Sequence, residues 1–231
     1  MSTLTRTARL TGLAYLGLAV FGAVGFIVIR QQLYVPDDAA RTAANLVAHE
    51  GLARVGIAAD LLVVLTQAIA AMGFFQLFRG VDALAAGSLA AFGLVNSVVI
   101  LVATAFSATA LEVALRGGAT AASQALLLYE LNAATWEVGA LFFGLWLVPM
   151  GWLAGRSGMP RVLGWTLVVG GVGYVLSAFV YYLVPDASTA AGVLTVPATI
   201  GEVWMIGYLL IKGVPGRPPT QRRPAPQDAM A

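Results

Sequence analysis

Cysteine is absent from the 231-residue sequence. Disulfides, thiolate nucleophiles and cysteine-based metal sites are therefore excluded. His49 is the only histidine, so a bis-histidine haem site cannot form. Lys212 is the only lysine and stands at the end of the last apolar run, which rules against a Schiff base at mid-membrane. Charge is scarce as well, at 10% of residues against 59% hydrophobic. Water-soluble domains carry about a quarter charged residues. This chain cannot cover a surface in water, and the lipid bilayer is its expected chief partner. The net charge of +2 comes from arginines at loop ends and forms no broad basic face. A nucleic-acid partner has no support.

Catalytic fingerprints are missing too. His49-Glu50 begins like the zinc-protease motif HExxH, but position 53 is alanine. No GxSxG, P-loop or dinucleotide fingerprint occurs. Nothing implies a cofactor, a metal or a catalytic residue.

What the sequence does contain is six long apolar runs. Lipid offers no partners to backbone N–H and C=O groups, so each run must satisfy them internally as a helix. A barrel would need roughly ten-residue stretches of alternating polarity, and these runs are continuous. The expected class is all-α: a polytopic six-transmembrane-helix bundle with a short outer amphipathic helix. The spans read as 10–29, 53–78, 83–112, 119–154, 162–184 and 193–212. The first is long for a signal-peptide core, and no small-x-small cleavage site follows it. Residues 31–53 read as an outer loop. Within it Asp37 or Asp38 caps an amphipathic helix from Ala39 to Glu50. The third and fourth helices exceed the roughly 20 residues needed to cross, so they tilt or project. The organisation is a cytoplasmic N-terminus (1–9), a transmembrane domain (10–213) and a disordered cytoplasmic tail (214–231), whose Pro, Arg and Gln content lacks apolar residues.

Arginine and lysine placement sets the orientation. With the N-terminus inside, nine of these residues fall inside and four outside (Arg30, Arg41, Arg54, Arg116). Both termini are expected in the cytoplasm, in a bacterial inner membrane. Small residues recur at helical spacing: Ala83, Gly87 and Ala91; Gly93 and Ser97; Gly17, Gly22 and Gly25; Gly164, Gly170, Gly171 and Gly173. Such faces let backbones approach closely. They serve bundling within the chain first and homo-oligomerisation second. Pro149 is expected to bend the fourth helix near Leu145. Pro197 is placed in the first turn of the sixth, where it is tolerated.

Three carboxylates fall inside spans: Asp60, Glu137 and Glu202. An ionisable group at mid-membrane costs about 2.5–3.5 kcal/mol on insertion scales. Counted from the expected span starts, each lies roughly 9–14 Å inward from the outer side. That predicts a common layer in the outer half. Gln67 shares a helix side with Asp60, and Thr195 and Thr199 share one with Glu202. Asn96, Ser97, Thr104 and Ser107 form a polar arc on the third helix. Tyr15 and Tyr174 add hydroxyls. Arg54, His49 or Arg41 would close the outer mouth and pair with an acid. The functional reading is a polar cavity for a cation, a proton or a small polar molecule, with Asp60, Glu202, Glu137, Arg54, Asn96, Gln67 and Thr199 as candidates. The structural alternative is that these groups only hydrogen-bond helices together.

Several segments carry a resemblance: Arg9-Leu10-Thr11-Gly12-Leu13-Ala14-Tyr15-Leu16, Val35-Pro36-Asp37-Asp38-Ala39-Ala40, Ala48-His49-Glu50, Arg54-Val55-Gly56, Ala58-Ala59-Asp60-Leu61-Leu62, Phe142-Phe143-Gly144-Leu145, Arg156-Ser157-Gly158, Pro160-Arg161-Val162-Leu163-Gly164, Gly171-Val172-Gly173-Tyr174 and Gly201-Glu202. From about residue 6 to 213 the chain resembles the bacterial membrane family labelled domain of unknown function 4386. The resemblance implies a multi-helix membrane protein and supplies no activity, substrate or catalytic residue. The leading expectation is a protein that binds, and in one version transports, a small polar molecule, cation or proton in an outward-biased pocket. A non-catalytic structural or accessory subunit comes second, and a membrane-embedded enzyme with paired carboxylates third.

Overall fold

Backbone groups with no water to pair with leave only one regular solution for these runs, and it is the one observed. The computed structural model describes residues 3–184 and 186–214. Its elements are α1 (Thr3–Ala23), a π-helical turn (Val24–Ile29), α2 (Arg30–Leu33), α3 (Ala39–Ala48), α4 (Glu50–Phe78), α5 (Ala83–Arg116), α6 (Ala121–Arg156), α7 (Arg161–Leu183) and α8 (Ser188–Ile211). No strand occurs among the described residues. α1, the π-turn and α2 run on as one span. With α4 to α8 they give six helices long and apolar enough to cross a membrane. The expected tail beyond Val214 lies outside the described residues.

The six spans stand in a ring in chain order, each packed on the next, and α8 closes the ring against α1. Gly213 lies near Ala8, so the two ends of the described chain meet on one side of the bundle. The opposite side carries α3. The bundle thus has a terminal end and an α3 end.

Local signals explain the joints. The Asp38 side chain accepts the Arg41 backbone N–H at 2.9 Å and caps α3, while Asp37 takes a left-handed φ of 59°. Asp82 caps α5 through the Ala85 N–H at 3.1 Å. Gly117 and Gly118, at φ 68° and 114°, break α5 from α6 as expected. The amphipathic α3 does not spread on lipid. It buries Leu46 and Thr42 completely against a small cluster that includes Leu33, Ala110, Leu111 and Tyr129. Thr42 is tied to Val35 by two hydrogen bonds of 3.0 and 3.1 Å, which fold the α2–α3 link back over the bundle.

The main core centres on an edge-to-face trio of Tyr15, Phe74 and Trp146, with centroids 5.5–5.9 Å apart. It fastens α1, α4 and α6 together. Trp146 fits because Gly93 of α5 has no side chain where the indole lies. α6 and α7 meet backbone to backbone. A Cβ on Gly171 would sit 2.8 Å from the Gly144 carbonyl oxygen, and one on Gly164 would sit 2.8 Å from that of Gly151. Both glycine pairs are seven residues apart, two helical turns, so they form one antiparallel seam. Gly170 and Gly173 press on α8 at Ala198 and Leu194. Gly87 behaves otherwise: a Cβ there would meet nothing within 4 Å. The expected Ala83–Gly87–Ala91 face is therefore open rather than part of the intrachain packing.

Two span boundaries differ from the sequence reading in ways that matter. The first helix does not stop at Ile29 but continues through Leu33. The sixth starts at Ser188, because small residues 188–192 remain helical beside α7, so Pro197 lies in the helix interior and not in its first turn. It removes one backbone hydrogen bond, the one toward Val193.

Candidate functional site

The π-turn is the local feature that shapes the polar interior. A π-turn fits one extra residue into a helical turn, which rotates everything after it by about 100° relative to an unbroken α-helix. Here it begins at Val24 and hands over to Arg30. Arg30 thereby points into the bundle. Its Nη1 donates to Asn132 Oδ1 at 2.9 Å. Asn132 in turn donates to the Ala103 carbonyl at 2.7 Å, so the acceptor is itself anchored to α5. The guanidinium lies 5.4 Å from the Phe26 ring centre and 5.5 Å from that of Tyr34. Such cation–π contacts hold a charge while its water is stripped away. Tyr34 stacks on Tyr129 at 5.8 Å.

Arg30 faces a cavity of about 40 Å³ lined also by Asp60, Ser107, Tyr129 and Asn132. A space that size admits one to a few water-sized groups. Among the described residues the half-buried Asp60 carboxylate accepts no hydrogen bond and lies in no ion pair within 4.0 Å. Gly25 lets α1 approach it: a Cβ there would stand 3.2 Å from Asp60 Oδ1.

A second cavity, of about 210 Å³, lies nearer the terminal end. It shares Gly22 and Trp136 with the first and is otherwise apolar and aromatic, apart from Tyr15, Thr199 and Glu202. Tyr15 donates its hydroxyl to Glu202 Oε1 at 2.6 Å.

The expected common layer of acids is not what the helices build. Asp60 lies ten residues from the α3 end of α4, about 15 Å deep. Glu202 lies fourteen residues from the corresponding end of α8 and nine from the terminal end, so it is past the middle. Along α1, Asp60 sits beside Gly25, whereas Glu202 bonds Tyr15, ten positions or about 15 Å further down. The early start of α8 accounts for the stagger.

The other candidates divide. Thr199 lines the cavity of Glu202. Glu137 is half-buried on α6, next to Trp136, and lines neither cavity. Gln67 and Asn96 are fully buried and joined to each other at 3.0 Å, outside both linings, as a clasp between α4 and α5. Gln67 Nε2 and Asn96 Oδ1 have no hydrogen-bond partner. Ser97 and Thr104 bond carbonyls of their own helix. Arg54 does not reach Asp60. It pairs with Glu50 at 2.7 Å one turn earlier on α4, and its side chain is 64% exposed. Arg41 and His49 are exposed as well. The charge partner of the interior is Arg30, which a straight α-helix ending at residue 29 leaves outside. Asn132, Tyr129 and Trp136 carry no comparable signal in the sequence, although Asn132 and Trp136 lie five residues and one residue before Glu137 on α6.

No curated protein and no solved structure matches this chain. The model of the family described as domain of unknown function (DUF4386) matches residues 10–213, nearly the whole sequence. The helical membrane bundle with an arginine and staggered acids inside it is thus the structure of a DUF4386 family member.

Proposed function

We propose that the chain is a membrane protein that binds a proton or a cation no larger than ammonium in the cavity of Arg30 and Asp60. One observation carries this reading. Arg30 and Asp60 line one void of about 40 Å³ without pairing, and a second carboxylate, the half-buried Glu137, directly follows the lining residue Trp136. With both acids ionised one unit of negative charge is left over, and one proton or one monovalent cation neutralises it. Uncompensated charge at this depth is costly, which favours uptake. The void is too small for a metabolite. By the arginine and lysine bias the α3 end faces outward and both chain ends face the cytoplasm, in a bacterial inner membrane. The cavity then opens toward the outer side, and movement of the bound species across the bundle would make the protein a transporter.

The test is binding in lipid nanodiscs. Ammonium and sodium should raise the unfolding temperature of the wild type, and Asp60→Asn should abolish that rise while remaining folded. An equal rise in Asp60→Asn overturns the assignment.

A second reading, an accessory subunit that packs against another copy or another membrane protein, is favoured by the open Ala83–Gly87–Ala91 face beside Leu84, which is 82% exposed. Gly87→Leu should then disrupt assembly without affecting the folded monomer. Catalysis by paired carboxylates has less support, because Asp60 and Glu202 line different cavities.

A further inference from the structure

The second cavity calls for a different ligand from the first. Glu202 projects into a space bounded by Leu18, Val63, Trp136, Phe143 and Ile206. Tyr15 satisfies one of its oxygens. Among the described residues the other accepts no hydrogen bond, and no arginine, lysine or histidine lines the cavity. An ionised carboxylate in apolar surroundings needs a cation beside it. A bare metal ion would need six or more oxygen ligands for calcium, or an octahedral set for magnesium. The cavity offers only one carboxylate and two hydroxyls, from Tyr15 and Thr199.

Size and walls fit an organic cation instead. A dry cavity of about 150 Å³ accepts benzene, and this one measures about 210 Å³. Trp136 and Phe143, with ring centres 6.5 Å apart, are among its lining residues, and aromatic rings attract ammonium groups. The way in is from the side. At the terminal end α1 and α8 pack closely: a Cβ on Gly12 would stand 3.0 Å from Leu209 and 3.1 Å from Leu210. Higher up the cavity parts them, and its lining includes Ala19, Ala23 and Val203, which are exposed on the bundle's circumference where acyl chains lie.

We propose that this cavity binds a lipophilic ammonium, a one-ring aryl- or alkylamine in its protonated form, entering from the bilayer between α1 and α8 and pairing with Glu202. The free amine, rather than a lipid headgroup, is the occupant. Glu202 lies nine residues, about 14 Å, from the end of α8, too deep for a headgroup to follow. The assignment does not depend on the cavity of Arg30 and Asp60.

The experiment uses the full chain in phosphatidylglycerol nanodiscs, which carry no ammonium headgroup. Benzyltrimethylammonium and its neutral isostere neopentylbenzene are titrated by calorimetry. The cation should bind about tenfold or more tighter than the isostere. Glu202→Gln should remove that preference and leave the isostere within about twofold, while Asp60→Asn changes neither. Phe143→Leu keeps the apolar volume and should weaken the cation alone, by about threefold. It carries the test where Glu202→Gln does not fold. Adding phosphatidylethanolamine should not compete. Equal binding of the two probes in the wild type, or loss of neither in Glu202→Gln, overturns the proposal and leaves an acyl-chain groove. Competition by phosphatidylethanolamine overturns the free amine in favour of a headgroup.

Discussion

Asn132 decides what Arg30 can do. Its amide oxygen takes the guanidinium at 2.9 Å and its amide nitrogen is spent on Ala103. That fixed acceptor keeps Arg30 from closing onto Asp60, so the carboxylate stays available. Asn132→Ala should cost about 1–3 kcal/mol of stability, since it leaves charged and carbonyl groups unpaired. It should also weaken ammonium binding, because the freed guanidinium can neutralise Asp60. Unfolding and binding measured on the same variant check both effects. The Gln67–Asn96 pair makes a contrasting case. Both residues are fully buried, and each keeps one orphan atom. Asn96→Leu strands all of Gln67 and should cost about 1–3 kcal/mol. The double variant Gln67→Leu with Asn96→Leu should recover most of that loss, because no buried polar group then lacks a partner. A double-mutant cycle reads the difference, and ligand binding should be unaffected throughout. Sequence spacing correctly placed Gln67 and Asp60 on one helix, but spacing alone cannot say that Gln67 would meet Asn96 and not a ligand. Such choices are made by side chains from other helices.

Among the elements, the π-turn at Val24–Ile29 and the glycine seam between α6 and α7 matter most. Deleting Ile27 would remove the extra residue, let the helix run as plain α and leave Arg30 on the face it now occupies. The chain should still fold, since the span remains long enough, and ammonium stabilisation should persist; its loss would show that the extra turn itself, and not only the direction of Arg30, shapes the cavity. The seam allows no such tolerance. Gly171→Leu would drive a side chain into the Gly144 carbonyl and should abolish folding, seen as loss of monodisperse protein in detergent. Gly207→Ala, where a Cβ meets nothing within 4 Å, should be neutral or slightly stabilising. Composition and run length make the six spans, the Asp38 cap and the Gly117–Gly118 break legible without coordinates. The π-turn is not legible, because nothing in Val-Gly-Phe-Ile-Val-Ile departs from ordinary helical hydropathy. It arises where Gly25 and Gly56 let α1 and α4 come close and Arg30 finds Asn132. The early start of α8 was hidden for a related reason. Residues 188–192 are small and weakly apolar, so hydropathy alone starts the helix later.

The whole molecule is a ring of helices that buries Tyr15, Phe74, Phe78 and Trp146 and holds two voids stacked along the first span. The upper one is polar and small, and the lower one apolar and larger. That the spans' acids turn inward follows from the cost of bare charge in hydrocarbon. Their separation into two sites does not follow, because helix stagger depends on boundaries set by tertiary contacts. The central claim is that Asp60 sits unpaired in a void with spare negative charge and takes up a proton or small cation there. Infrared difference spectroscopy on the reconstituted protein addresses it most directly. Adding ammonium, or stepping the pH, should change a carboxyl band that disappears in Asp60→Asn and persists in Glu202→Gln. A carboxyl spectrum that ignores both perturbations, or a response that survives in Asp60→Asn, would contradict it.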